Sequence, residues 1–148
     1  MRVLVQRVSR AAVGVGDATV GRIDLGLVIL VGVGHGDDEA TAVALAGKVA
    51  DLRIFRDDAG KTNRSLLDVG GAALVVSQFT LYADTRKGRR PSFLDAAPSD
   101  LGAALFERFA RALEERGVQV ARGVFGAEMA VGLVNDGPMT IWLDSAVG

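Results

Sequence analysis

Cysteine is absent from this 148-residue chain, which excludes disulfides, thiolate nucleophiles and cysteine-ligated metal. The single histidine, His35, excludes a metal held by a histidine cluster. A formal net charge of −1 leaves no broad basic surface, so contact with nucleic acid has to come from a local patch. The longest apolar run, Leu25 to Val33, is too short to cross a bilayer, which takes about 20 residues. The opening Met1-Arg2-Val3-Leu4-Val5-Gln6-Arg7 brings in polar side chains too early for a signal peptide. There is no linker, low-complexity tract or internal repeat. With 49% hydrophobic and 24% charged residues, the expectation is one soluble, cytoplasmic domain with a real core.

What is there reads as mixed α/β. Arg2 to Val8 alternates apolar and polar residues, as a half-buried strand does. Ala11–Val15 and Ala18–Ile23 suggest a hairpin around Gly16-Asp17. Leu25–Val33 is continuously apolar and rich in β-branched residues, a pattern for a central strand buried on both faces. Two helices are expected, one from about Glu39 to Leu52 and one from Ser99 or Asp100 to Gly117. In the second, Leu101, Leu105, Phe109, Ala112 and Leu113 share a face, and Glu107 precedes Arg111 by four positions on the outer one. About seven strands joined by short turns predict a largely antiparallel sheet.

Two tempting motifs fail. Gly60-Lys61-Thr62 ends like a phosphate-binding loop, but Phe55 stands where that loop needs glycine. Gly32-Val33-Gly34 begins like a dinucleotide fingerprint, but Asp37 takes the place of its third glycine, and no further βαβ unit is expected. His35 has no serine in a strand-to-helix elbow to partner it and reads as a solvated loop residue. Asp37-Asp38 and Asp57-Asp58 read as cap and turn residues rather than magnesium ligands.

Three segments carry candidate chemistry. Ser77-Gln78-Phe79-Thr80 places polar groups at the end of the apolar run Ala72–Tyr82, where a site and a mere emergence of the strand are both open. Arg86, Lys87, Arg89 and Arg90 follow at once and form the densest basic cluster, a solvated loop or a grip for phosphates. Asn135-Asp136-Gly137-Pro138 lies between the apolar runs Met129–Val134 and Thr140–Leu143 and reads as a turn between two strands. Pro138 has no N–H, so it marks a tip or an edge. The Gly137 and Pro138 carbonyls are then acceptors with no side chain at Gly137 to block approach, a surface able to receive an ammonium group.

These segments, in this order and spacing, resemble the bacterial D-aminoacyl-tRNA deacylases. The opening Met1 to Val8, Leu52-Arg53-Ile54-Phe55, the Arg90-Pro91-Ser92-Phe93 segment, Ser77-Gln78-Phe79-Thr80-Leu81 and Asn135 to Thr140 carry the likeness, which spans residues 1 to 145. Met139 and Thr62 depart from it, outside the two central motifs. The resemblance implies a homodimeric hydrolase of D-amino acids esterified to the 3′-terminal adenosine of tRNA, with glycine also accepted. It implies a cis Gly137–Pro138 bond whose carbonyls enter the other subunit's site to reject L-amino acids by sterics. It places Ser77, Gln78, Phe79 and Thr80 in the catalytic pocket, and with a tRNA substrate the basic cluster Arg86, Lys87, Arg89 and Arg90 is expected to include residues that contact its phosphates. No cofactor, metal, membrane or DNA is implied.

For mechanism, neither motif holds an ionisable residue of suitable pKa. A positioned water is favoured as nucleophile over Thr80, with backbone N–H groups near Phe79 and Thr80 on the oxyanion and the 2′-hydroxyl of the terminal ribose able to assist. Two rival readings, a non-catalytic dimer that binds the tRNA 3′ end and an amino-acid-binding regulatory domain, predict binding without ester cleavage.

Overall fold

Strand β1 (Arg2–Val15) is the axis of the computed structural model, which describes residues 1–148. The two segments expected as separate strands are one, long enough to serve three antiparallel partners. Arg2–Val8 pairs with β3 (Gly26–Gly32), and Ala11–Val15 pairs with β2 (Ala18–Ile23) in the expected hairpin. Strand β8 (Ala130–Asp144) follows the opposite edge of β1 over nearly its whole length.

The rest of the sheet is parallel. β6 (Ala72–Ser77) lies beside β3, and β7 (Gln119–Arg122) beside β6. Helix α1 (Glu39–Asp51) lies in the connection from β3 to β6, and α3 (Ser99–Glu115) in that from β6 to β7. The expectation of no further βαβ unit is therefore wrong: β3–β6 and β6–β7 are parallel neighbours, and parallel neighbours need such crossovers. Eight strands are present, with β4 (Phe55–Arg56) and β5 (Thr62–Arg64) forming a separate small pair. A short third helix, α2 (Leu66–Val69), is set by a reciprocal Ser65–Asp68 capping box and roots its loop through fully buried Leu66. No helix is long and apolar enough to cross a membrane.

The apolar run of β3 is explained by burial on both faces. Leu27, Ile29 and Val31 face a core shared with Val49 of α1 and Phe109 and Leu113 of α3. Val28 faces a second core with Val8, Val13, Leu74 and Val76 on the other side of the sheet. Each such fully buried side chain contributes about 1.5–3 kcal/mol, so neither face tolerates a polar residue.

Helix ends differ in detail from expectation. Asp38 caps α1 by accepting from Thr41 N at 2.8 Å, as its position suggests. Neither Ser99 nor Asp100 caps α3; Pro98 holds that place and makes no side-chain hydrogen bond. Glu107 turns from Arg111 to Arg122 of β7, which also meets Glu114 at 2.8 Å. Those carboxylates hold the Arg122 guanidinium above its ordinary pKa, with the Glu114 hydrogen bond the largest cause.

The Gly137-Pro138 segment is not a hairpin turn. The runs on either side of it belong to one strand: Val8 pairs with Asn135 and Gln6 with Thr140, so Asp136–Met139 loops out opposite Arg7 alone. β8 pairs only with β1. Its free edge accommodates both the extra residues and the missing proline N–H. The Gly137–Pro138 bond is cis.

Candidate functional site

The apolar run from Ala72 does not continue as strand to Tyr82. β6 ends at Ser77, Gln78 leaves the sheet, and Phe79–Tyr82 winds into a 3-10 turn. Gly32 allows this: a Cβ there would stand 3.0 Å from Gln78 O and 3.1 Å from Leu81 Cβ, so the turn rests directly on the β3 backbone. The turn's first N–H groups, of Phe79 and Thr80, donate to no protein acceptor, while Leu81 N bonds Gln78 O and Ala83 N bonds Thr80 O. Gln78 Nε2 donates to Thr80 Oγ1. The Thr80 hydroxyl thus meets an amide, not a base.

Ser77, Gln78 and Phe79 line a cavity of about 500 Å³, closed on other sides by Phe93, Phe125 and Met129 among others. That volume suits a small ligand, and the lining is mostly apolar with a few polar groups, as such sites usually are. Phe79 is 56% exposed at the rim and meets Phe93 edge-to-face, ring centroids 5.1 Å apart. Phe93 and Phe125 are lining residues that the sequence alone does not single out. Both are at least a third exposed, unusual for phenylalanine, but exposure is invisible before folding.

The basic loop hangs beside this cavity. An antiparallel bridge, Asp84 N to Ser92 O at 2.8 Å and Ser92 N to Asp84 O at 2.9 Å, closes it just before Phe93. Arg86 is bound to the Asp84 carboxylate through Nε and Nη2 at 2.8 and 2.7 Å, which holds that carboxyl down at about 2. Lys87, Arg89 and Arg90 are exposed and enter no ion pair. Of the four candidates, these three have no carboxylate partner, while Arg86 shapes the loop.

The second motif is built on Arg7, which is only 4% exposed. Its guanidinium donates from Nε to Asp136 O at 2.9 Å and from Nη1 to Ile54 O at 2.6 Å. Burial pulls its pKa down, with Arg56 adding to the shift and Asp136 opposing it. Arg56 reaches the Asp136 carboxylate at 3.1 Å from the solvent side. Asn135 completes the brace, its Oδ1 accepting from Met139 N at 3.0 Å across the loop. Gly137 and Pro138 project exposed from this frame. Arg7 was missed as a site residue, though a signal exists: it shares strand parity with buried Val3 and Val5, the inward one.

Within one chain the two motifs stand apart. Arg7 is level with Leu27 and Ala73, whereas Ser77 is level with Val31. Four residues along β6 and three strand spacings across separate them, roughly 20 Å at about 3.3 Å per residue and 4.8 Å per strand. The remaining candidates have local partners. His35 is exposed and bonds Leu94 O at 2.7 Å, Asp57 Oδ1 closes its turn on Ala59 N and Lys61 N at 2.9 Å, and no group of metal-ligating side chains is present.

A family model described as D-Tyr-tRNA(Tyr) deacylase matches residues 4–144. A D-aminoacyl-tRNA deacylase from Thermomicrobium roseum is 66% identical over 99% of this chain and 95% of its own. One from Thermus aquaticus is 58% identical over 99% of this chain and 96% of its own. Among solved structures, a c-Myc DNA unwinding element binding protein superposes with a TM-score of 0.91 at 36% identity, covering 97% of this chain and 98% of that one. A probable eukaryotic D-amino acid tRNA deacylase has the same fold, with a TM-score of 0.86 at 21% identity over 96% and 97% of the two chains.

Proposed function

Because the chain belongs to the D-Tyr-tRNA(Tyr) deacylase family, we propose that it works as a cytoplasmic homodimer whose Gly137-Pro138 loop completes the partner subunit's site. The protein is a hydrolase that cleaves the ester of D-aminoacyl-tRNA to free D-amino acid and tRNA. One observation carries the cross-subunit reading: a rigidly braced, exposed acceptor loop lies roughly 20 Å from the cavity of its own chain. A second copy brings such a loop to a cavity at no cost in new structure, since a two-fold pair uses each patch twice.

In this reading the cavity takes the terminal adenosine and its aminoacyl group. The Gly137 and Pro138 carbonyls of the partner subunit receive the α-ammonium, and their closeness leaves no room for an L side chain. Backbone acceptors cannot select a side chain, so glycine and many D-amino acids are substrates. The free N–H groups of Phe79 and Thr80 stabilise the oxyanion as a water attacks the ester carbonyl. Oxygen–carbon cleavage then returns the 3′-hydroxyl of the ribose, with the adjacent 2′-hydroxyl placed to pass the proton. Ser77 and Gln78 position these groups, and Gln78 holds the Thr80 hydroxyl as a donor's partner rather than as a nucleophile.

Purified protein given matched D- and L-aminoacyl-tRNAs tests this. Cleavage of the D-ester alone is expected; binding of both without cleavage would favour a tRNA 3′-end-binding dimer. Activity is expected to survive EDTA and His35→Ala, because His35 is tied to a loop carbonyl and lies outside the residues lining the cavity. A loss on either treatment, measured as initial rate, would bring metal or imidazole chemistry back.

Replacing Lys87, Arg89 and Arg90 with glutamine is expected to weaken tRNA binding and reduce its log–log salt slope by about one unit per lost phosphate contact. Arg86→Gln is expected to act less on the slope and more on loop order, since its partner is Asp84. Binding isotherms at several salt concentrations decide it, and an unchanged slope in the triple variant would make the loop a solvated one.

A further inference from the structure

We infer that Arg2 is a positioning residue for the deacylase reaction: it clamps the far end of the Phe79–Tyr82 turn whose near end offers its N–H groups to the substrate. The inference rests on the catalytic reading of that turn, and it concerns a residue well outside the cavity lining.

Arg2 begins β1, level with Gly32 of β3 and Asp144 of β8. Its guanidinium gathers contacts from three directions. Nη1 donates to Leu81 O at 2.9 Å, inside the turn. Nε donates to Asp144 Oδ2 at 3.1 Å. The same planar group lies 4.4 Å from the ring centroid of Tyr82, the turn's last residue, and 5.8 Å from that of Trp142 on β8. Beneath the turn, Gly32 supplies a flat floor, and β3 grips only the turn's near end, where Gln78 N donates to Val31 O at 2.8 Å. At the far end Tyr82 Oη donates to Asp37 Oδ2 at a long 3.5 Å, and Arg2 adds the shorter hold on Leu81 that ties the turn to both β1 and β8.

The chemistry of the group matters. A guanidinium presents donors along its edge and a face to aromatic rings at once; an ammonium offers one point of contact. The clamp also explains why a charged residue at the first position of an otherwise core-seeking strand is only partly exposed, at 32% of its side chain against 14% for Asp144. A pair this exposed adds little to global stability. Its value lies in the placement of the turn: the N–H groups of Phe79 and Thr80 are two and one residues from the clamped carbonyl of Leu81. A shift of about 1 Å in groups aimed at a transition state costs on the order of 100-fold in rate.

The test compares Arg2→Met and Arg2→Lys with the parent protein on D-aminoacyl-tRNA, together with amide hydrogen exchange. For Arg2→Met, kcat is expected to fall about 10- to 100-fold with KM nearly unchanged, the signature of an interaction felt only in the transition state. Arg2→Lys should recover part of the loss. Exchange of the Leu81 and Ala83 amides should quicken in Arg2→Met while that of α3 stays as it was. Parental kcat in Arg2→Met would overturn the inference, as would a raised KM at constant kcat, which would make Arg2 a substrate-binding group. Should Arg2→Met melt too low to assay, Trp142→Leu removes one wall of the clamp and leaves the ion pair. It is expected to lower kcat in the same direction, and an unchanged kcat overturns the clamp. A parent protein unable to cleave D-aminoacyl-tRNA would sink the deacylase reading itself. Exchange at Leu81 and Ala83 still reads the clamp in that case, and unchanged rates there overturn it.

Discussion

Gly137→Ala is expected to leave a folded protein with D-aminoacyl-tRNA hydrolysis reduced by about 5- to 150-fold, from roughly 1–3 kcal/mol of backbone strain at 1.36 kcal/mol per factor of ten. Gly137 has φ of +135°, a region that side chains rarely allow. A Cβ at this position would lie 2.7 Å from Arg7 Nη2 and 3.1 Å from Met139 N. The guanidinium cannot simply swing away, because it is buried and committed to Asp136 O and Ile54 O. The loop itself has to move, and with it the two carbonyls. Loss of their alignment should also loosen discrimination, so the ratio of D- to L-ester cleavage falls along with the rate. Initial rates on both esters at equal tRNA concentration decide it. Full D-activity with intact rejection of the L-ester would reduce the segment to a plain bulge.

The same variant separates a shared site from one contained in each chain. A heterodimer of Gly137→Ala with a pocket variant such as Phe79→Asp holds one intact pocket facing one intact loop only if loops act across the interface. About half the parental activity should then return, one of two symmetric sites. If each loop served its own chain, both sites would be damaged and the mixture would stay as inactive as its parents. Light scattering on the same samples should give twice the 15.4 kDa chain mass.

How far the sequence anticipates this arrangement depends on whether the signal is local. The apolar run of β3 and the apolar stripe of α3 announce themselves, because burial on two faces or on one stripe leaves a period. The strand on either side of Gly137-Pro138 was legible as two strands but not as one, since only the shared pairing with β1 joins them. The end of β6 was misplaced for a similar reason. Phe79-Thr80-Leu81-Tyr82 has the composition of a strand, and the turn forms because Gly32 on another strand offers it a floor. Glu107 chose Arg122 over Arg111 because β7 brings a guanidinium between two helix carboxylates. The motifs Ser77 to Thr80 and Asn135 to Pro138 were found as sequence, yet their mutual distance was not. Arg2 and Arg7 were passed over as the polar members of an alternating strand. For Arg7 the parity with Val3 and Val5 was there to be read; for Arg2 no local sign existed, since both its rings and its carboxylate come from far along the chain.

Arg7→Met should produce the largest combined loss of stability and activity among single changes outside the cavity. The substitution keeps a long side chain but removes the donors to Asp136 O and Ile54 O. Ile54 is itself 6% exposed, so its carbonyl is left without an evident replacement donor. An unsatisfied buried acceptor costs about 1–3 kcal/mol, and the lost charge-assisted bond adds to it, for a net of about 2–4 kcal/mol. At roughly 2–4 °C per kcal/mol for a chain of this size, the melting temperature should fall by about 5–15 °C. Activity measured well below that melting point should fall further than the folded fraction does, because Asp136 then keeps only the partly exposed Arg56 and the loop loses its inner brace. Arg7→Lys should sit between the two, its single ammonium unable to span both carbonyls. Leu113→Ala is the control: a core truncation in α3 costing about 2–5 kcal/mol, remote from loop and cavity, whose folded molecules should remain fully active. If Arg7→Met, compared at the same folded fraction, cleaves the D-ester as fast as Leu113→Ala, the guanidinium supports only the fold, and the loop carries its own shape.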